Sequence, residues 1–276
     1  MKNISVVIAT IGEPSLNETI KCLLDCSYNP QEIIVCVPSG MLDNLSQYVV
    51  ANCKIVESPL RGQVNQRCVG FGHVSPEADL VLQLDSDMSL NQATIADMVA
   101  DMDKLPELSA LGIKIRDGSR ESDFMFKISR WRWVNKWFHY LVNGKDGFAP
   151  GRVALTGINF PFIGLTAVTS VDWLPGGCIM HRRSNLICEN FFPFEGKAYC
   201  EDLFHSAALQ DRGISLYYSP KITCQTKMFN QLSLLAGLKS VLNQLPIHYR
   251  FANREGKVRK VRFGLIYFLF FVSRIL

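Results

Sequence analysis

The sequence predicts an α/β fold in which helices flank a mostly parallel sheet, followed by a helical extension at the C-terminus. Two observations support this prediction. In the first half of the chain, short runs of β-branched and apolar residues alternate with segments whose apolar residues recur at helical spacing, which is typical of βαβ units. The chain also has 276 residues, of which 48% are hydrophobic, so it can bury a sizeable core without disulfides.

The first half contains five predicted strands with helices between them. The strands are residues 4–10, 32–37, 54–57, 79–85 and 110–115. The first helix begins at Ser15, which with Glu18 fits a capping box. Further helices are predicted over residues 41–51 and 62–71 and after Asn91, which we expect to act as a cap. In such sheets ligands bind beyond the carboxyl ends of the strands, so functional residues are expected at that edge.

The second half is less regular. Residues 124–141 are aromatic and basic, with an apolar helical stripe that we interpret as core: Trp131, Val134, Phe138 and Leu141. The remaining predicted elements are a strand at residues 171–180, interrupted by Pro175, Gly176 and Gly177, a helix at residues 203–209, a strand at residues 214–218 that Pro220 ends, and a helix at residues 232–245.

Composition narrows the class of protein. Charged residues make up 20% of the chain and the formal net charge is +4, which is ordinary for a globular protein, and we expect no nucleic-acid partner. The nine cysteines have scattered spacings, which indicates free thiols in a reducing cytoplasm. Four of the five histidines, at positions 139, 181, 205 and 248, have no metal-ligand spacing, and we interpret them as structural.

The sharpest local signal is Asp85-Ser86-Asp87, directly after a predicted buried strand. The strand fixes the backbone and the turn lets two carboxylates converge beyond the edge of the sheet. Two hard oxygen ligands suit Mg²⁺ or Mn²⁺, which shares its remaining positions with water and with phosphate oxygens. The alternative is a solvated turn without a metal.

A second acidic pair, Glu201-Asp202, precedes a predicted helix. The helix macrodipole favours an ionised carboxylate in the first turn, and such a group can accept a proton from an attacking hydroxyl. The alternative is an ordinary N-terminal cap.

A third candidate is the segment from Arg61 to Arg67, in which Gly62 permits close approach of the backbone and the helix start offers free N–H groups to a phosphate. Arg67 lies one turn into that helix and can reach a diphosphate or a nearby carboxylate. The alternative is a surface arginine.

Taken in order, these motifs resemble family 2 glycosyltransferases. The resemblance covers about residues 4–227 and depends on these segments: residues 4–10, Gly62-Gln63 with Gln66-Arg67, residues 82–87, residues 173–177 and Glu201-Asp202. It implies a GT-A fold, a nucleotide-diphosphate sugar donor, a divalent metal and transfer with inversion at the anomeric carbon.

The resemblance also implies a role for each matching residue. Substrate-binding positions are Thr10 and Glu13 near the nucleoside, Arg67 near the nucleoside or the diphosphate, and Gly176 and Gly177 on the acceptor side. Gln63 and Trp173 are further substrate-binding positions. Asp85 would approach the ribose or the metal, and Asp87 would ligate the metal. Asp202 would be the general base, with Glu201 beside it.

Three departures from the family pattern limit what is implied. Residues 35–39 lack the aspartate that usually contacts the base, which leaves the choice between UDP, GDP and dTDP donors open. Residues 223–227 lack the histidine that many members offer to the metal. The Gln-x-x-Arg-Trp motif of processive synthases is not present, which favours the addition of a single sugar.

The predicted organisation is a GT-A domain at residues 1–228, with a nucleotide-sugar half at 1–118 and an acceptor half at 119–228, and a basic amphipathic extension at 229–276. The apolar run 263–272 has ten residues, fewer than the roughly 20 needed to span a bilayer, with Arg262 and Arg274 beside it. A helix of this kind can lie in a membrane interface. The alternatives are a helix packed on its own core and the start of a longer membrane-spanning segment.

These expectations combine into one hypothesis: a cytoplasmic glycosyltransferase, peripheral on the inner face of the cell membrane, that acts on a glycan or lipid-linked glycan in bacterial surface polysaccharide synthesis. One alternative is a sugar nucleotidyltransferase, which would need a basic glycine-rich loop where residues 9–14 carry no basic residue. The other is a non-catalytic nucleotide-sugar-binding module at a membrane.

Overall fold

A computed structural model describes residues 1–41, 52–116, 131–192, 194, 198–226, 234–254, 256 and 260–275, with the backbone alone for 234–241 and 270–275. The helix predicted at 41–51 and the beginning of the aromatic, basic segment at 124–130 therefore lie outside the described residues, Met41 excepted. The chain divides into two compact units. The first unit comprises Met1–Gly118, Thr166–Ser170 and Leu174–Asn230, and the second comprises Ser119–Leu165, Val171–Trp173 and Gln231–Leu276. The domain boundaries drawn from the sequence stay a prediction.

The first unit is built on a sheet whose described strands follow the order β3-β2-β1-β4-β8-β6-β9-β5, with β7 beside β9. The strands are β1 Ile4–Ala9, β2 Glu32–Pro38, β3 Cys53–Ser58, β4 Leu80–Asp85, β5 Met88–Leu90, β6 Ser109–Arg116, β7 Thr169–Val171, β8 Cys178–Arg182 and β9 Ser215–Thr226. Its helices are α1 Ser15–Leu24, α2 Gln63–Gly72, α3 Thr94–Met102 and α5 Glu201–Asp211. Pairing is parallel between β1 and its two neighbours, between β2 and β3 and between β6 and β9, whereas β8 is antiparallel to both β4 and β6. The predicted α/β class with a mostly parallel sheet is confirmed.

The central strands are mainly apolar because both faces of the sheet are covered. All six residues of β1 are buried. Val6 and Ile8 pack in one cluster with side chains of α1 and α3, whereas Val7 packs in another with Phe71 of α2. This alternation, with a period of two residues, places α2 on one face of the sheet and α1 and α3 on the other.

Both predicted helix caps are wrong. Pro14 precedes α1 and makes no side-chain capping bond, so Ser15 is the first helical residue rather than the cap. Helix α3 begins at Thr94, three residues after Asn91. The backbone N–H of Asn91 donates to the Thr94 hydroxyl at 3.0 Å. Asn91 is therefore bonded to the first residue of the helix through its backbone and not through a capping side chain.

Pro220 does not end the last strand, as the sequence predicted. Strand β9 continues to Thr226, and its register against β6 shifts between Ser219 and Thr223, opposite Ile113 and Lys114. Because this irregularity contains Pro220, no ladder hydrogen bond is required of the proline nitrogen.

The second unit contains α4 Arg132–Asn143, α6 Leu234–Ala252 and α7 Lys260–Ile275. Phe138 and Val142 of α4 are buried in one cluster with Ile266 of α7. Arg262 at the start of α7 donates from Nε to the carbonyl oxygen of Leu141 at 2.8 Å, which satisfies a group at the end of α4.

Two sequence interpretations of this unit need correction. Trp131 was placed in a core stripe, but it is 64% exposed. Helix α6 was expected to end at residue 245, but it continues through Pro246 to Ala252. Within the described residues, no helix combines the length and the apolar character that crossing a bilayer requires.

Candidate active site

The candidate site lies where β1 and β4 end side by side. Ala9 is paired with Asp85, so the residues that follow each strand emerge at the same edge of the sheet. Beyond β1, the Thr10 hydroxyl donates to a Glu13 carboxylate oxygen, which also accepts from Ser86 at 3.3 Å. Thr10 and Glu13, which were expected near the nucleoside, are therefore neighbours of the Asp85-Ser86-Asp87 turn.

Arg67 joins the two acidic pairs. Its Nη2 donates to Asp85 Oδ1 and its Nη1 donates to Glu201 Oε1, each at 2.6 Å. Asp85 Oδ1 also accepts from Gln63 Nε2 at 2.9 Å. The Arg67 residue is 2% exposed, so the alternative of a surface arginine is wrong. Although burial lowers the pKa of Arg67, the charges of Glu201 and Asp85 raise it above its usual value, and the guanidinium stays charged.

Gly176 and Gly177 fill the space between the acidic pairs. A Cβ at Gly176 would collide with Oε1 of Glu201 and would lie 3.6 Å from the Cβ of Asp202. A Cβ at Gly177 would collide with Met88 and would lie 3.2 Å from Oδ2 of Asp85. The glycines are needed here because any side chain would displace a carboxylate or its support. The four carboxylates Asp85, Asp87, Glu201 and Asp202 are called the acidic cluster below.

Asp87 is oriented by a residue that sequence reasoning missed. Thr226, at the end of β9, donates from its hydroxyl to Oδ2 of Asp87 at 2.6 Å. Residues 223–227 lack the histidine of the family pattern, and a threonine hydroxyl contacts Asp87 instead. The nearby pairing of β5 with β9, in which Met88 faces Thr226, explains why this threonine reaches the turn.

The second acidic pair opens α5. Cys200, the residue before the helix, has φ 56° and ψ 20°, a left-handed conformation that is uncommon for a residue with a side chain. This backbone strain directly precedes Glu201 and Asp202. Burial, together with the charge of Glu201, raises the pKa of Asp202 to about 7, while Oδ1 of Asp202 accepts from the Leu203 N–H at 2.9 Å.

Gln66, which the resemblance matched without giving it a role, holds the ends of β1 and β2 against α2. Its Nε2 donates to the carbonyl oxygens of Thr10 at 2.6 Å and of Cys36 at 2.8 Å. The sequence offered a signal, because Gln66 is a polar residue on the inward face of α2, but its role depends on contacts with other elements.

Two buried histidines lie on the same side of the sheet as Arg67. The rings of His181 and His205 are 5.4 Å apart, and neither has a hydrogen-bond partner among the described residues. Burial and then the charge of Arg67 lower the pKa of His181 to about 3, and burial also lowers the pKa of His205 well below its usual value. Both rings are therefore neutral at pH 7.

Trp173 belongs to the second unit, where its indole N–H donates to the carbonyl oxygen of Phe160 at 2.9 Å and its ring lies against Phe162. Its predicted role toward the substrate stays a prediction.

The donor atoms of the acidic cluster suit a hard divalent cation, since Asp85 and Asp87 are both carboxylates at the end of one strand. Among the described residues, no group of three or more His, Cys, Asp or Glu side chains is arranged to hold a metal. Two carboxylates are compatible with Mg²⁺ or Mn²⁺ when the other positions are taken by water and substrate oxygens.

Comparison with solved structures identifies the fold. Over 99% of its length, the chain superposes on a GalNAc-T7 structure with UDP, GalNAc and Mn²⁺, at a TM-score of 0.59 and 14% identity, covering 54% of that chain. It is also similar to the mannosyltransferase PcManGT from Pyrobaculum calidifontis in complex with GDP-Man and Mn²⁺, with a TM-score of 0.57, 15% identity and coverage of 99% and 73% of the two chains. The chain has the GT-A fold.

A third similar structure is S. aureus TarS 1–349, with a TM-score of 0.52, 17% identity and coverage of 100% of this chain and 72% of that one. No family model matches the sequence, and no curated protein matches it by sequence. At these identities the structural likeness establishes the fold, and the chain spans about half of the GalNAc-T7 structure.

Proposed function

We propose that the protein is an inverting glycosyltransferase that moves one sugar from a nucleotide-diphosphate donor to a hydroxyl acceptor. The observation that carries the proposal is the pair of 2.6 Å bonds by which Arg67 links Asp85 to Glu201. These bonds bring together two acidic pairs that are far apart in sequence, at the edge of the sheet where α/β proteins bind ligands. The GT-A fold, shared with glycosyltransferases whose structures contain UDP or GDP-Man, supports glycosyl transfer in general.

In the proposed mechanism, Asp202 is the general base. The acceptor oxygen attacks the anomeric carbon from the face opposite the leaving diphosphate, the bond to the diphosphate oxygen breaks, and the acceptor proton passes to the Asp202 carboxylate. A base with a pKa of about 7 is suited to this step, because it is substantially ionised at neutral pH and still holds a proton well. The transition state has oxocarbenium character, as in glycoside hydrolysis.

Asp85 and Asp87 would hold Mg²⁺ or Mn²⁺. The cation supplies charge neutralisation for the departing diphosphate. The residues of this chain do the rest: Thr226 orients Asp87, while Arg67 and Gln63 orient Asp85. Thr10 and Glu13 contact the nucleoside side, and Gly176 and Gly177 shape the acceptor side.

The residues after β2 are compatible with more than one nucleotide base in the sugar donor. Ser39 stands near the position of the usual aspartate, and both its N–H and its hydroxyl donate to the Ser58 carbonyl oxygen, at 2.9 and 3.0 Å. UDP, GDP and dTDP sugars therefore all belong in the donor screen. We further propose a lipid-linked oligosaccharide acceptor in bacterial surface polysaccharide synthesis and a peripheral location on the inner face of the membrane, with contact through the C-terminal helix.

A membrane contact of α7 can involve only part of the apolar run 263–272. Phe263 and Ile266 are buried within the second unit, whereas Leu265 and Phe268 are exposed. The helix therefore packs on the core of its own unit through the face that carries Phe263 and Ile266.

The decisive experiment combines donor binding with turnover. We expect nucleotide diphosphates to raise the thermal unfolding temperature more with Mn²⁺ than without it, and the matching sugar donor to be consumed when an acceptor hydroxyl is present. Asp202→Asn should abolish transfer and leave the donor-induced thermal shift in place. The matched control is Asp97→Asn, which alters an exposed aspartate in the first turn of α3 and should retain full activity.

Full activity of Asp202→Asn would remove this residue from the base role. Nucleotide binding that is independent of metal, without turnover across a broad acceptor panel, would instead favour a non-catalytic binding module.

A further inference from the structure

Helix α4 presents aromatic side chains to solvent. Trp133 is 68% exposed, Trp137 51% and Tyr140 49%. The preceding residue Trp131 is 64% exposed and its ring stacks on that of Trp133 at 5.9 Å between centroids. Large exposed apolar patches on folded proteins usually mark an interaction site, because each ring would be more stable out of water.

The exposed rings form one continuous face of the helix. Positions 133, 137 and 140 are separated by four and three residues, so their side chains lie in one row along α4. The opposite side carries Phe138 and Val142, which are buried against α7. We call the row Trp133, Trp137 and Tyr140 the aromatic face.

Basic residues border the aromatic face. Arg132 and Lys136 are both exposed, and the 3.6-residue period puts them along one edge of the row. None of the three described helices of the second unit contains an aspartate or a glutamate, whereas all of them carry lysine and arginine.

The acidic residues in the described part of the second unit are Asp146 and Asp172, and both are already paired. Oδ1 of Asp146 lies 3.0 Å from Nδ1 of His139, and Asp172 accepts from Arg152 at 2.8 Å. Among the described side chains beside the aromatic face, basic groups therefore outnumber acidic ones, which favours a negatively charged partner.

We propose that the aromatic face of α4 docks on the interfacial region of an anionic lipid bilayer. Tryptophan and tyrosine are the side chains that favour this region, since their rings are apolar and their N–H or O–H group stays hydrated. The flanking lysine and arginine side chains reach the anionic headgroups. The exposed Arg132 and Lys136 beside the row favour an anionic surface over an uncharged glycan.

The proposal deepens the peripheral membrane location and rests on that part of the proposed function, but it does not depend on the chemistry of the acidic cluster. Vesicle binding and sugar transfer can therefore fail separately. The aromatic face also differs from the C-terminal contact expected from sequence, because its side chains belong to α4 and not to α7.

The test uses the full chain and sedimentation with vesicles of phosphatidylcholine alone or of phosphatidylcholine with phosphatidylglycerol. We expect binding to the anionic vesicles, and Trp133→Ser/Trp137→Ser should weaken it at least about tenfold. Lys136→Gln should weaken binding about fivefold, and only to the anionic vesicles. The matched control is Leu108→Ser, which removes an apolar side chain of the first unit that is 53% exposed and should bind as the unaltered protein does.

Intrinsic fluorescence gives a second readout, because Trp131, Trp133 and Trp137 are three of the four tryptophans of the chain. Lipids brominated near the headgroup should quench this emission when vesicles bind. Thermal unfolding and the donor-induced thermal shift check that the serine double variant is folded. If it is not folded, Trp133→Phe/Trp137→Phe replaces it, and we expect this variant to retain most of the vesicle binding.

The proposal is overturned if the unaltered protein does not bind anionic vesicles or if the serine variant binds them equally well. It is also overturned if a soluble glycan is bound through these tryptophans in place of lipid. A dimer in solution that the serine substitutions dissociate would assign the face to a second copy of the chain and equally refute the proposal.

Discussion

Replacing Arg67 with alanine tests whether the site is held together by a buried ionic link. The guanidinium is 2% exposed and donates at 2.6 Å to Asp85 on one side and to Glu201 on the other. Removing it leaves two carboxylates close together without a cation, and Glu201 is itself buried. Breaking a buried pair in this way costs about 3–5 kcal/mol of unfolding free energy.

The matched control is the ion pair between Lys2 and Asp103 in the same unit, which has the same N–O distance of 2.6 Å. Its side chains are 34% and 49% exposed, so solvent screens the attraction. Lys2→Ala should therefore cost no more than about 1 kcal/mol. The two sites share one contact distance and differ in burial and in the number of carboxylates, two at Arg67 and one at Lys2.

The assay is urea unfolding followed by far-ultraviolet circular dichroism, with unfolding free energies from linear extrapolation. Tryptophan fluorescence is unsuitable here, because all four tryptophans belong to the second unit. The double variant Arg67→Met/Glu201→Gln removes charge from both sides of one link and should recover part of the lost stability. A loss for Arg67→Ala no larger than that for Lys2→Ala would refute the buried-link argument.

Three further predictions concern the chemistry. The value of kcat/KM should rise with pH with an apparent pKa of about 7, since Asp202 must be ionised to act as a base. Glu201→Gln should move this rise in the pH profile to lower pH, because it removes a charge that raises the pKa of Asp202. Gly176→Ala should lower kcat roughly a hundredfold by displacing Glu201, whereas Gly72→Ala, with open space around the new methyl group, should retain activity. Thr226→Val should raise the Mn²⁺ concentration needed for half-maximal transfer roughly tenfold, because Asp87 loses its orienting hydrogen bond.

The sheet could be predicted from sequence because its strands carry local signals. Each central strand is a short apolar run bounded by polar or turn-forming residues, and burial on both faces leaves no other role for such a run. Asp85 was placed correctly at the end of β4 for the same reason. The helix starts at Ser15 and Asn91 were misjudged because several nearby residues are capable of capping, and the choice between them depends on how the preceding loop approaches the helix.

The contacts that build the site could not be predicted in the same way. Nothing in the segment around Arg67 indicates that its two partners are one residue at the end of β4 and another at the start of α5. Of the core stripe predicted for α4, Phe138 is buried and Leu141 packs against the same cluster, whereas the equally apolar Trp131 is exposed. The partners of Arg67 and the exposure of Trp131 both depend on long-range packing. The spacing of apolar residues along one helix carries no information about such packing.

The neighbouring carboxylates of α5 illustrate how the same packing separates two roles. Oε1 of Glu201 is bound to the Arg67 guanidinium, which commits this group to holding the cluster together. Asp202 has no such cation at contact distance in the described structure, and its nearest bond is to the N–H of the next residue. Burial and the adjacent charge therefore raise the pKa of Asp202 toward neutrality, where a carboxylate is an effective base at physiological pH. Two acidic residues that are adjacent in the sequence are thus given different partners by one arginine from another helix.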